Sequence, residues 1–287
     1  MSSSSSLPSA DAPVAAATQG AETDIRIELP GREPVLARLY GERARGATVP
    51  LVLHFHGGTF VCGGLDNGRN VARLLVDAGA VVVSLDYPLA PKAPFPEPIE
   101  VGYGALEWLY KHRTKLGGKG AEVFLAGEEA GGNLAAAVAL MARDRAHPPL
   151  SGQILLSPML DPCTGTASLR KAKGDAVRCR WATGWQEFLS RPVNATHPYA
   201  VPGGSLRLAE VARTLVLVGQ DDPMRDEALD FARRLKGAGI PVTTSELPAP
   251  SNWPEALYEP DSSGCAACAA AVQKHFREFF SAAPPPR

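Results

Sequence analysis

Two periodicities divide the chain. Asp24-Ile-Arg-Ile-Glu-Leu29 and the stretch around Pro34-Val-Leu-Ala-Arg-Leu-Tyr40 alternate apolar with polar residues, the period of a strand with one covered face. A turn at Pro30-Gly31 joins them as two antiparallel edge strands. From Val49 onward the strand segments are continuous apolar runs: Val49 to His56, Ala80 to Asp86, Gln153 to Ser157 and Thr214 to Val218. Such runs suit parallel strands buried on both faces. Helical segments fall between them, with an apolar face at Val71, Leu74 and Leu75, a helix from about Ile99 to Leu116, and another from about Arg225 to Gly237. Pro241 to Leu247 is the last strand, and a helix from Cys265 to Phe280 closes the chain. The alternation predicts an α/β fold, a mostly parallel sheet of about eight strands with helices on both faces.

Residues 1–22 are rich in Ser, Ala and Pro and carry no period, so they read as a flexible tail or a cap segment ahead of one domain over 23–287. The connection over 161–202 is longer and less regular than the others and predicts small helices forming a cap. Lys and Arg number 29 against 30 Asp and Glu, a net charge of -1, which gives no case for a nucleic-acid partner or an anionic membrane. No apolar run is long enough for a membrane span, the N-terminus lacks the pattern of a secretory signal, and five cysteines do not make a disulfide framework. A cytoplasmic protein is the expectation.

The chemistry centres on Phe124-Leu-Ala-Gly-Glu-Glu-Ala-Gly-Gly-Asn-Leu134. An apolar strand runs into Gly127, and an alanine-rich helix begins at Ala130. The spacing is that of a G-x-S-x-G elbow, in which a strained strand-to-helix turn lifts one side chain above the sheet. The apex residue here is Glu129 rather than Ser.

Four motifs in order resemble those of the hormone-sensitive-lipase-like branch of the α/β-hydrolase fold, over roughly residues 35–280. His56-Gly-Gly-Thr-Phe-Val61 resembles its HGGG-type loop, and Leu85-Asp-Tyr-Pro-Leu-Ala-Pro-Lys-Ala-Pro-Phe-Pro96 its DYRLAP…PFP stretch. Gly127-Glu-Glu-Ala-Gly-Gly-Asn133 stands in the place of GDSAGGN, and Asp222-Pro-Met-Arg-Asp226 resembles DPLRD. The resemblance implies an esterase frame with no cofactor and no metal, a small-molecule ligand or substrate, and a homodimer. It assigns the oxyanion loop to His56, Gly57 and Gly58, with a further N–H from Ala130, and the triad acid to Asp222.

Such an esterase needs a Ser nucleophile, a His base, an acid to orient it and backbone donors for the oxyanion. The nucleophile position holds Glu129, and the position of the base falls near Asn252, which shuttles no proton near neutral pH. A carboxylate at the apex would point at the oxyanion donors and fill their place. Two functions follow. One is a degenerate hydrolase that binds a small ester- or acid-like ligand, as the plant gibberellin receptors of similar sequence bind a small acid after losing the triad His. The other is a carboxylic-ester hydrolase or lyase-type enzyme using Glu129 as nucleophile or general base. A purely structural module is the third class, and an occluded site would favour it. Glu128 is expected to be structural, and the sequence does not show whether Ser157, Ser251 or another hydroxyl enters the pocket as a substitute nucleophile.

Weaker signals change little. Cys265 and Cys268 have the spacing of half a zinc site without a second pair, and suit buried small residues in a helix. Cys62 sits beside the oxyanion loop. Trp181, Trp185 and Phe188 share a helical face, as cap packing or as a wall facing the ligand, and Trp253 is placed to fill the space of the absent His.

Overall fold

The computed structural model describes residues 18–163, 165–171, 175–258 and 266–282. The alternating segments pair as their period predicts. Strands β1 (Thr18–Ile27) and β2 (Val35–Glu42) run antiparallel with Ile25 opposite Ala37. β1 begins at Thr18, inside the stretch expected as a tail, and residues 1–17 lie outside those described. Of these two strands β1 alone is at an edge, because β2 also pairs antiparallel with β4 (Val81–Leu85).

The continuous apolar runs form the parallel centre: β3 (Leu51–Phe55), β4, β5 (Val123–Glu128), β6 (Gly152–Leu156) and β7 (Thr214–Gly219), every residue of each buried. With β8 (Val242–Leu247) the described strands make one sheet in the order β1-β2-β4-β3-β5-β6-β7-β8. Helices α1 (Arg69–Asp77) and α7 (Ala266–Ser281) pack together, as do α2 (Glu97–Leu116) and α3 (Ala130–Asp144), so both faces are covered. α2 carries Glu97 and Glu100 in its first turn and Arg113 and Lys115 in its last, the charge order that suits a helix dipole. In α3 every residue from Ala130 to Ala142 is buried, which explains its small side chains: it lies against β3, β5, β6 and α2 at once.

Between β6 and β7 the chain forms α4 (Ala167–Lys171), α5 (Asp175–Leu189) and 3-10 turns at Pro192–Thr196 and Pro202–Gly204. α6 (Arg225–Gly237) follows β7. Phe188 of α5 stacks on Phe60 with ring centres 4.1 Å apart, and Trp185 lies 4.9 Å from the same ring. That contact sets the insertion over the carboxyl ends of β3 and β5, where open α/β sheets place their sites. Among the described residues no helix is long and apolar enough to cross a membrane.

Candidate active site

Glu129 sits between β5 and α3 at φ 52° and ψ -116°, a conformation that an L residue rarely adopts. The surroundings hold it there. Its N–H donates to the Leu156 carbonyl at 3.0 Å, and its own carbonyl accepts from Met159 N–H at 3.0 Å. A Cβ on Gly127 would collide with the Gly131 carbonyl, and one on Gly131 with the carbonyl of Phe55, so both turn positions need glycine for close approach. The geometry is that of the nucleophile elbow, with a carboxylate at its tip.

That carboxylate is buried, 1% exposed, and three N–H groups converge on it. Gly58 N–H and Thr59 N–H donate to Oε2 at 2.7 and 3.2 Å, and Trp181 Nε1–H of α5 donates to Oε1 at 2.6 Å. Thr59 and Phe60 at φ 51° and 67° curl the loop so that its N–H groups turn inward, and the N–H groups of Val61 and Cys62 close back on the Gly58 carbonyl. The Tyr258 ring lies over Gly57, where a Cβ would meet its edge. Burial, and next the Glu129 carboxylate, push the Tyr258 phenol well above its usual range.

Gly57 does not join Gly58 as a donor to this cradle. Its N–H donates to Glu128 Oε1 at 3.0 Å, and Glu128 Oε2 meets His54 Nε2 at 2.7 Å, while His54 Nδ1 lies 2.9 Å from Ser84 Oγ. Glu128 therefore fixes the loop to the strands beneath. His56 shapes the loop as well: Nδ1 donates to the Gly57 carbonyl at 2.6 Å, and the ring stacks on Tyr87 at 4.3 Å. Burial lowers His56 to about 4, so it is neutral near pH 7. Ala130 opens α3, fully buried.

Asp222 follows β7 where the resemblance expects the triad acid. Its Oδ1 accepts from Ser157 Oγ at 2.9 Å and from Met224 N–H at 2.8 Å. Burial raises it to about 7, and its Oδ2 is buried without a hydrogen-bond partner among the described residues. No imidazole bonds Asp222 or Glu129 among them. His112 bonds the Trp108 carbonyl on α2, His275 lies 3.8 Å from Glu278 on α7, and His197 packs on Phe95 and Tyr199. Asn252 is exposed at φ 53°, and no hydrogen bond brings it to Asp222 or Glu129 among the described residues. Trp253 beside it is buried.

Neither serine stands beside an imidazole: Ser157 is bound to Asp222, and Ser251 to Asp221. Cys62 is exposed with Sγ 3.2 Å from the Gly58 carbonyl; Cys268 is buried, and Cys265 lies outside the described residues. The sequence leaves three participants unread: the Thr59 N–H, the Trp181 indole N–H and Tyr258. A buried Trp on the face toward the elbow was the only available signal, since an indole N–H needs a partner when buried.

A family model for the alpha/beta hydrolase fold matches residues 52–250. Esterase LipI of Mycobacterium tuberculosis is 36% identical over 205 residues, 68% of this chain and 62% of that protein. The gibberellin receptor GID1A of Arabidopsis thaliana is 35% identical over 215 residues, 70% of this chain and 61% of the receptor. The chain thus spans under two thirds of the length of both relatives. Among solved structures, esterase LipW of Mycobacterium marinum superposes with a TM-score of 0.78 at 31% identity, over 91% of this chain and 82% of that one.

Proposed function

The chain belongs to the α/β-hydrolase family, and we propose that it uses this frame to bind a small ester- or acid-like ligand without Ser–His–Asp catalysis. One observation carries the reading: the nucleophile position is a glutamate whose carboxylate accepts from the loop N–H groups that would otherwise receive an oxyanion. The buried Oδ2 of Asp222, unpartnered among the described residues, agrees with an absent imidazole. In this reading residues 161–202 are a cap, with Trp181 reaching down to the elbow.

The second reading is carboxylic-ester hydrolysis with Glu129 as nucleophile or general base, and it draws support from relatives and structural neighbours that are esterases. It requires Glu129 to leave three N–H donors and requires a water activated without His. Hydrolysis of short-chain p-nitrophenyl esters by the wild type and Glu129→Ala, with the variant's background subtracted, separates the two. Equal trace rates support the binding protein. Turnover that vanishes in the variant makes Glu129 catalytic and removes the first reading.

A further inference from the structure

The donor cradle of this site is filled from within. Oε2 of Glu129 takes the N–H groups of Gly58 and Thr59, and Oε1 takes the indole N–H of Trp181. Both oxygens of Glu129 act as acceptors here, so with those donors engaged the face left to an incoming group consists of their remaining lone pairs. The Tyr258 hydroxyl is buried beside it, and its interaction with the Glu129 carboxylate, which helps to raise the phenol, turns its O–H toward that carboxylate and leaves its own lone pairs to an incoming group. Arg180, on the same helix as Trp181 and interacting electrostatically with Glu129, is tied to Glu255 at 2.8 Å and stays partly in solvent. The polarity of the site is therefore the reverse of an oxyanion hole: it offers acceptors where the fold ordinarily offers donors.

Resting on the binding reading above, we propose that Glu129 is a tethered occupant of the oxyanion cradle, so that the site excludes carboxylates and oxyanions and takes small ligands that donate a hydrogen bond from a hydroxyl or ammonium head. A second carboxylate there would face Glu129 in a dry site, where like charges a few ångströms apart are poorly screened. An alcohol or ammonium instead completes the acceptors that Glu129 and Tyr258 leave open. Of the ester- or acid-like ligands that the sequence suggests, this arrangement turns the acids away and takes an ester only where it also carries a hydroxyl or ammonium group to donate.

Three probes of one chain length test this: hexan-1-ol, hexylammonium and hexanoate, titrated calorimetrically into the wild type, Glu129→Ala and Glu129→Gln. The wild type is expected to bind the alcohol or the ammonium at least about tenfold more tightly than hexanoate. Glu129→Ala empties the cradle, so its order should reverse, with the hexanoate carboxylate taking the three freed N–H groups. Glu129→Gln keeps the shape and loses the charge, so it should narrow the gap between ammonium and alcohol. It also serves as the check if the alanine variant does not fold. A wild type that prefers hexanoate, or a Glu129→Ala protein that keeps the wild-type order, overturns the proposal and leaves the binding reading in place. A wild type that binds none of the three overturns it too, and if Glu129→Ala is equally silent the binding reading falls with it.

Discussion

Trp181 on α5 and Glu129 at the elbow are joined by an indole N–H to carboxylate hydrogen bond of 2.6 Å, with both side chains buried. One bond thus ties the 161–202 insertion to the strained turn between β5 and α3. Hydrogen bonds to charged groups contribute roughly 1.5–3 kcal/mol, and a buried acceptor that loses its donor costs about as much. Trp181→Phe keeps most of the apolar contact and removes the N–H. It should lower stability by about 2 kcal/mol in chemical denaturation and hasten proteolytic cleavage within the insertion. Unchanged stability would mean that the insertion is held by its other contacts, the packing of Trp185 and Phe188 on Phe60 among them.

Restoring the nucleophile should not restore an esterase. Glu129→Ser places a hydroxyl at the apex and frees the Gly58 and Thr59 N–H groups, yet no imidazole bonds Asp222 among the described residues and Asn252 points into solvent. A serine without a base is a weak nucleophile, since general-base help is worth roughly 10²–10⁴-fold. Turnover of p-nitrophenyl butyrate by Glu129→Ser is expected to match the Glu129→Ala background. Activity well above it would reveal a base that the described residues do not show.

How much of this was legible in the sequence differs between the frame and the site. Strand period and apolar runs give all eight described strands, because burial on one face or two leaves a direct mark on residue type. The elbow was legible through Gly127 and Gly131, whose missing Cβ atoms are required by carbonyls close by. The turning of Gly57 N–H toward Glu128 was not, because backbone direction within a glycine loop leaves no trace in composition. Trp181 and Tyr258 were hidden for another reason: their contacts with the elbow and the oxyanion loop cross 52 residues in one case and 201 in the other, and neither spacing nor period reports such distances.

Asp222 should give the protein a distinctive pH response. Its folded value of about 7 stands above the ordinary 3.8, with burial as the leading cause. The folded state therefore holds a proton that the unfolded state releases, and the stability associated with that proton declines as pH rises from about 4 to about 7. Asp222→Asn keeps an acceptor for Ser157 and Met224 and removes the titration. Between about pH 5 and pH 7 the wild type should lose on the order of 2 kcal/mol relative to the variant. Because His56 is common to both proteins, its own loss of stability in acid cancels in that difference. Parallel stability curves for the two proteins would show that Asp222 ionises freely in the folded state.

Gly184 makes the closest test of how α5 is seated. It lies inside the helix, where glycine costs about 1 kcal/mol relative to alanine, so propensity alone says that Gly184→Ala stabilises. Packing says the opposite. A Cβ at this position would collide with the carbonyl of Thr59, the residue whose N–H donates to Glu129. α5 would have to lift from the oxyanion loop, stretching the Trp181–Glu129 bond and spreading the Phe60–Phe188 stack. A backbone carbonyl cannot swing aside as a side chain can, and overpacking of this kind costs typically 1–3 kcal/mol. The clash should win, with a net loss of about 1–2 kcal/mol in thermal or chemical unfolding and a red shift of tryptophan emission as Trp181 and Trp185 loosen. A gain in stability would mean that α5 stands farther from the elbow, and with it the indole bond that fills the Glu129 carboxylate would be lost.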